Sequence, residues 1–434
     1  MSSKRALVAA AVLCVAGYVF IYATGRAHDP IRSDGYSYYV YLPAWFIYGD
    51  PGLSRVARDC CGGEFPEFTA IIRWPGTRRW VNAHPIGVAV LQTPFFLAAH
   101  GLTKWSNLTP DGFSLYYQHA VGISGIFWTI AGLFVARRLL LTWFDDRIVT
   151  ATLVSMLLGT GLYHYATYDA SYSHAYSFFL IASLMLLTVK WWTGVPDGTR
   201  REDWRLAVLL GVAAGLIVLT RHPNALFLLL FPLYGVTSAA GFKRAVEMLA
   251  ARWRELAVIT IAGALVVLPQ LLIYHAATGR LFVSSYGNLG FNWSSPRIWG
   301  VLFSVQKGVF FWSPLLLVAA AGYLPGHRST RALSLGAIVV FVANTYVIAS
   351  WWDWQFGASY GHRGFIDMLP LFAVGLAAFL DWARVSPARM RAAFVVAGAA
   401  VFLSVFQMLQ YWNGVMPMAD LTWDQYRSVF LRLR

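Results

Sequence analysis

The sequence predicts an all-α, polytopic membrane protein, and three observations lead there. The 434-residue chain is 58% hydrophobic but only 12% charged, whereas soluble domains carry roughly 25% charged residues. Its apolar runs recur at about 20 residues, the length a helix needs to cross a bilayer. Its basic residues gather in alternate connections between those runs, as cytoplasmic loops require. The net charge of +14 therefore follows from membrane topology, and nucleic acid is not an expected partner.

The first apolar run, 6–23, follows Lys4 and Arg5 and reaches Ala23 without a small-x-small cleavage site. It is expected to stay as a first span with the amino terminus inside. Further candidate spans are 116–141, 147–166, 175–192, 206–220, 223–240, 256–275, 309–324, 332–349, 365–382 and 392–412. That makes about eleven membrane helices, a single transmembrane domain over 1–434. The inner connections then hold Arg137, Arg138, Arg147, Lys190, Arg200, Arg201, Arg205, Lys243, Arg244, Arg252, Arg254, Arg328, Arg331, Arg384, Arg389 and Arg391. This arrangement works if the run 85–100, which begins His-Pro and contains Pro94, does not cross. It is read as an interfacial or re-entrant helix within the first outer loop, residues 24–114. Of three cysteines, Cys60 and Cys61 are adjacent and expected to stay unbridged, so no disulfide framework follows.

The outward segments carry the polar, Gly-rich and aromatic stretches. Arg32-Ser33-Asp34-Gly35-Tyr36-Ser37-Tyr38-Tyr39 puts one carboxylate shortly after the first span, with interfacial aromatics behind it. A carboxylate at that depth is a candidate general base for a lipid-borne substrate, and Ser-Asp-Gly is equally a good helix start. Asp169, between two spans, would assist that base or hold an acceptor, or else lie in a solvated turn. Arg221 has almost no loop around it. An arginine drawn toward the bilayer centre costs roughly 2–3 kcal/mol, so it either snorkels or faces a polar cavity, where a phosphate is its natural partner. Lys307 and Arg363 are similar phosphate candidates. Asp145-Asp146 reads as a solvated turn. No nucleotide-binding Gly-rich loop, zinc-ligand spacing or nucleophile elbow is present, and donors used outside the membrane are commonly lipid-linked.

In chain order, Asp34-Gly35-x-x-Tyr38-Tyr39, Asn82-x-His84-Pro85-Ile86-Gly87 and Pro94-Phe95-Phe96 come first. Ser173-His174-Ala175-x-Ser177-Phe178-Phe179 and Arg221-x-x-Asn224-Ala225-Leu226-Phe227 follow. Leu268-Pro269-Gln270, Trp312-Ser313-Pro314 and Trp351–Gly364 running into Phe365-Ile366-Asp367 complete the series. Together they resemble a bacterial branch of the GT-C glycosyltransferase superfamily, related to protein O-mannosyltransferases and the aminoarabinose transferase of lipid A. The resemblance implies an inverting transfer of one sugar from a polyprenyl-phosphate donor to a glycan, lipid or protein hydroxyl. It implies Asp34 as base, Arg221, Lys307 and Arg363 at the donor phosphate, and Tyr38, His84, Asp169, His174, Asn224 and His362 in the cavity. Membrane lipids surround it, and the site faces outward from a bacterial plasma membrane. Many relatives pair two acidic residues in the first loop. Here Asp34 stands without an acidic neighbour, Asp29 being five residues back, so the sequence does not support a divalent-metal requirement, and no cofactor is expected. A flippase of lipid-linked sugar and a surface-polysaccharide polymerase or ligase are the competing expectations.

Overall fold

The computed structural model describes residues 2–67, 69–194, 203–283, 289–324 and 330–433. Arg200, Arg201 and Arg328 therefore lie outside the described residues. Helix α1 (Ser3–Ala23) leads into the first loop, which holds α2 (Asp34–Tyr39), α3 (Tyr41–Phe46) and α4 (Ser54–Cys61). A small antiparallel hairpin follows, β1 (Ile71–Arg73) with β2 (Trp80–Asn82), Ile72 opposite Val81. Helix α5 (Gly87–Trp105) contains Pro94 and lies along the first half of α6 (Leu115–Leu140), with Phe95 against Phe127 and His100 against Tyr117.

Next come α7 (Asp146–Leu158), α8 (Leu162–Thr167), α9 (His174–Thr193) and α10 (Trp204–Thr220). A 3-10 segment, His222–Leu230, leads to α11 (Ala239–Ala251) and α12 (Trp253–Thr278). Then follow α13 (Ile298–Phe303), α14 (Val309–Trp312), α15 (Leu315–Ala321) and α16 (Arg331–Ser350). A second 3-10 segment, Arg363–Met368, precedes α17 (Leu369–Ala383), α18 (Pro387–Trp412) and α19 (Trp423–Val429).

Among the described residues, seven helical segments are long and apolar enough to cross a membrane: α1, α6, α9, α12, α16, Arg363–Ala383 and α18. Other expected spans are interrupted where the sequence supplies breakers. The run 147–166 parts at Gly159-Thr160-Gly161 into α7 and α8, and 309–324 parts at Ser313-Pro314 into α14 and α15. The run 223–240 forms a 3-10 segment and a turn before α11. Helices α10 and α12 approach closely because Gly211 and Gly215 carry no side chain. A Cβ on Gly211 would stand 2.3 Å from the Ile259 carbonyl oxygen, the close contact that small residues four apart permit.

Two loop expectations are corrected. Cys60 and Cys61 are bridged; they end α4, where Gly62 takes a left-handed conformation and turns the chain away. Asp145 and Asp146 are not simply solvated. Asp145 accepts from the backbone N–H groups of Arg147 and Ile148, capping α7, and pairs with Arg384. Asp146 accepts from the Ser3 N–H at 3.0 Å. Those contacts tie the start of α1 and the end of α17 to the start of α7 at one end of the bundle. The polar cluster described next occupies the other end.

Candidate active site

Three aspartates converge where α1, α10 and α18 finish and α9 begins, and each has a histidine and an arginine beside it. Arg363 Nη1 donates to Asp34 Oδ2 at 2.7 Å, across 329 residues of the chain. His84 Nε2 lies 3.9 Å from the same oxygen. Asp34 is the first residue of α2, and its side chain caps no backbone N–H, so the helix-start reading does not explain it. Gly35 is needed for this placement. A Cβ there would sit 1.9 Å from Ser171 Oγ, so α2 can lie directly on the turn before α9.

His84 is held through its backbone. Asn82 Oδ1 accepts from the His84 N–H at 3.0 Å, and Asn82 Nδ2 donates to the Ser37 carbonyl at 2.6 Å. Tyr41 OH donates to the His84 carbonyl at 2.8 Å, and the Tyr38 ring meets the imidazole edge-on at 4.4 Å. Burial pushes the His84 pKa down to about 4 against the pull of Asp34, so the ring is neutral at physiological pH. Burial pushes the Asp34 carboxyl up, but Arg363, His84, His174 and Arg221 outweigh it and hold it below its ordinary value. Asp34 is therefore ionised.

The second cluster is fully connected. Arg32 donates to Asp169 Oδ1 from Nε at 3.2 Å and Nη2 at 2.9 Å, and His164 Nε2 lies 2.8 Å from Oδ2. The Trp412 indole N–H, which can only donate, reaches His164 Nδ1 at 2.9 Å. Nδ1 must then accept, so Nε2 carries the proton and donates to Asp169. Burial raises the Asp169 carboxyl, and Arg32 with His164 overcomes that, holding it well below the carboxylate range. The third cluster is deepest: Arg221 Nη1 donates to Asp367 Oδ2 at 2.6 Å, and His174 Nδ1 meets Oδ1 at 3.0 Å.

The three differ in one respect. Asp367 and Asp169 have both oxygens engaged and side chains 0% and 6% exposed. Asp34 is 27% exposed, and its Oδ1 has no hydrogen-bond partner among the described residues. Among the described residues, Asp34 alone of the three leaves a carboxylate oxygen unclaimed.

The structure thus brings together Asp34, Tyr38, His84, Asp169, His174, Arg221 and Arg363. Asn224 stands nearby, donating to Ser177 Oγ at 3.0 Å. Lys307 is set apart: its Nζ donates to the carbonyls of Ser359 and Met418, tying two loops, and burial pushes its pKa down to about 7. His362 is buried against Phe356 and Phe365, its pKa pushed down to about 3 by that burial first. Among the described residues, no three of His, Cys, Asp and Glu converge as a metal-ligand set.

Sequence reasoning missed Asp367, Arg32 and His164 as site residues. A carboxylate within the apolar run 365–382 was a usable signal, because ionisable groups in such runs face polar interiors. Beside the cluster, a cleft of about 350 Å³ lies between Tyr41, Trp80, Val81 and Asn82 of the first loop and Leu272, Ile273 and Ala276 of α12. Arg79 lines it as well.

No protein-family model and no curated protein sequence matches the chain. Solved structures do match. The apo oligosaccharyltransferase of Archaeoglobus fulgidus aligns with a TM-score of 0.53 at 12% identity, over 100% of this chain and 60% of its own length. The chain thus spans about three fifths of that protein's length. ArnT from Cupriavidus metallidurans bound to undecaprenyl phosphate aligns with a TM-score of 0.49 at 14% identity, over 93% of this chain and 70% of its own. The chain shares its fold with that oligosaccharyltransferase structure.

Proposed function

We propose that the protein is an inverting glycosyltransferase that moves one sugar from a polyprenyl-phosphate donor to an acceptor hydroxyl on the outer face of the membrane. The observation that carries this reading is that Asp34, its side chain 27% exposed, is held by Arg363 through Oδ2 alone, with Arg221 within range of its charge. The acceptor oxygen forms the new bond to the anomeric carbon while the carbon–oxygen bond to phosphate breaks, its electron pair leaving on the phosphate. The hydroxyl proton passes to Asp34 Oδ1.

A carboxylate held ionised is ready to accept that proton but is a weak base. Transfer therefore comes late, when the attacking oxygen has become strongly acidic against an oxocarbenium-like sugar. In this reading Arg221 and Arg363 neutralise the charge that gathers on the departing phosphate, and fixed cations in a water-poor site stabilise it best. Neutral His84 packs on the Tyr38 ring, and the Tyr172 ring faces the Arg363 guanidinium. Asp169, with Arg32 and His164, braces the turn under α2.

The outward assignment rests on charge. Lys4, Arg5, Arg137, Arg138, Arg384, Arg389 and Arg391 lie toward the bundle end opposite the cluster, as the positive-inside rule requires for a site facing away from the cytoplasm. The bacterial plasma membrane, with the periplasmic or outer side bearing the site, fits this arrangement.

The test is turnover by the purified protein in proteoliposomes, offered a panel of undecaprenyl-phosphate sugars and envelope acceptors. Release of undecaprenyl phosphate by wild type but not by Asp34→Asn is expected. Movement of the intact lipid-linked sugar across the bilayer without release would replace this reading with that of a flippase.

A further inference from the structure

We infer that Phe356 is a positioning residue that sets Arg221 and Arg363 as the two jaws of one anion clamp, an inference that rests on the phosphate reading of those arginines. Both guanidinium carbons stand 5.7 Å from the centre of the Phe356 ring, inside the range of cation–π attraction. No other ring is shared by two arginines among the described residues. Phe356 also has a φ of +57°, a left-handed backbone that a bulky residue adopts only when its surroundings hold it there. The ring is wedged from behind. His362 meets it at 5.4 Å, and a Cβ on Gly364 would lie 2.8 Å from its edge.

Two like charges brought together repel, and each arginine has one aspartate, Asp367 or Asp34, on its Nη1. The remaining N–H groups of both carry no hydrogen bond among the described residues. A third carboxylate would steady the pair but would then compete with an incoming phosphate. An aromatic face steadies the pair through its quadrupole and adds no net charge, so the unused donors stay available to an anion. This accounts for a strained phenylalanine where glycine would be the easier residue.

The test compares binding of farnesyl phosphate with binding of farnesol by the full-length protein in detergent. The ratio of the two affinities isolates recognition of the phosphate. Phe356→Leu keeps apolar volume but removes the π face, and the ratio is expected to fall about three- to tenfold. Phe356→Tyr is expected to keep the ratio, and Phe356→Gly, which relaxes the backbone and so holds the fold, to lose it as the leucine variant does. Farnesol affinity should be unchanged throughout. A leucine variant with the wild-type ratio, or an equal loss for both ligands, would overturn the inference. Arg221→Met and Arg363→Met serve as the control. If they retain the phosphate preference, the underlying reading fails; if they lose it while Phe356→Leu does not, only the clamp fails.

Discussion

Replacing each cluster aspartate by asparagine should separate stability from activity, with the two costs running in opposite orders. Asp367 is 0% exposed and pairs with an Arg221 side chain that is 17% exposed. Removing one partner of a buried ion pair costs about 3–5 kcal/mol, because the other charge is left without compensation. The lower end applies here, since water reaches part of Arg221. Asp169 holds two nitrogens of Arg32 and one of His164, so a similar loss is expected. Asp34 is 27% exposed and its loss strands Arg363, 14% exposed, much as loss of Asp367 strands Arg221, but it forfeits one charged hydrogen bond rather than two, so it should cost less, about 2–3 kcal/mol. Turnover reverses the order. Loss of a general base costs about 10²–10⁴-fold, or roughly 3–5 kcal/mol of barrier, and falls on Asp34 alone. Thermal unfolding of the three variants in one detergent, with turnover normalised to folded protein, measures both. The reasoning is refuted if Asp34→Asn is the most destabilised of the three. It is equally refuted if that variant turns over within about threefold of wild type while Asp169→Asn or Asp367→Asn is the one inactivated.

Other outcomes follow from the same contacts. Because Arg363 helps hold the Asp34 carboxyl down against burial, Arg363→Met should move the acid limb of kcat/KM to higher pH, read from a pH–rate profile. Lys307 is driven below its unfolded value to about 7, so between there and its unfolded pKa the unfolded chain binds more protons. Its contribution to stability therefore grows as pH rises from 7 toward 10 and is withdrawn below that window; Lys307→Met should flatten the slope in thermal-stability measurements. Gly35→Ala forces a Cβ onto Ser171 Oγ, 1.9 Å away, and onto Ser171 Cβ at 2.5 Å. It should abolish turnover, and adding Ser171→Gly should restore a large part of it.

Within the first loop, the sequence was legible where function depends on neighbours in the chain. Asp34-Gly35 marks the carboxylate and the residue that lets it approach the turn, and Asn82-x-His84 is a local bracket closed by one hydrogen bond. The phosphate candidates were legible as residue types but not as partners. Arg221 and Arg363 are each held by an aspartate, whereas Lys307 is turned to backbone carbonyls. Asp367 escaped because its run reads as membrane, and His164 because its role is set by Trp412, far along the chain.

Hydropathy and charge bias are properties of short stretches. They alone determined that the chain is a helical membrane protein, and they supplied the expected division of its loops and a candidate base in Asp34. Tertiary structure decided which of three aspartates is left with an unclaimed oxygen. It also decided that apolar runs broken at Gly159-Thr160-Gly161 and Ser313-Pro314 fold as helix pairs. The physical reason is distance along the chain. Asp34 meets Arg363 across 329 residues, and no local pattern records a pairing that forms only once separate helices have packed.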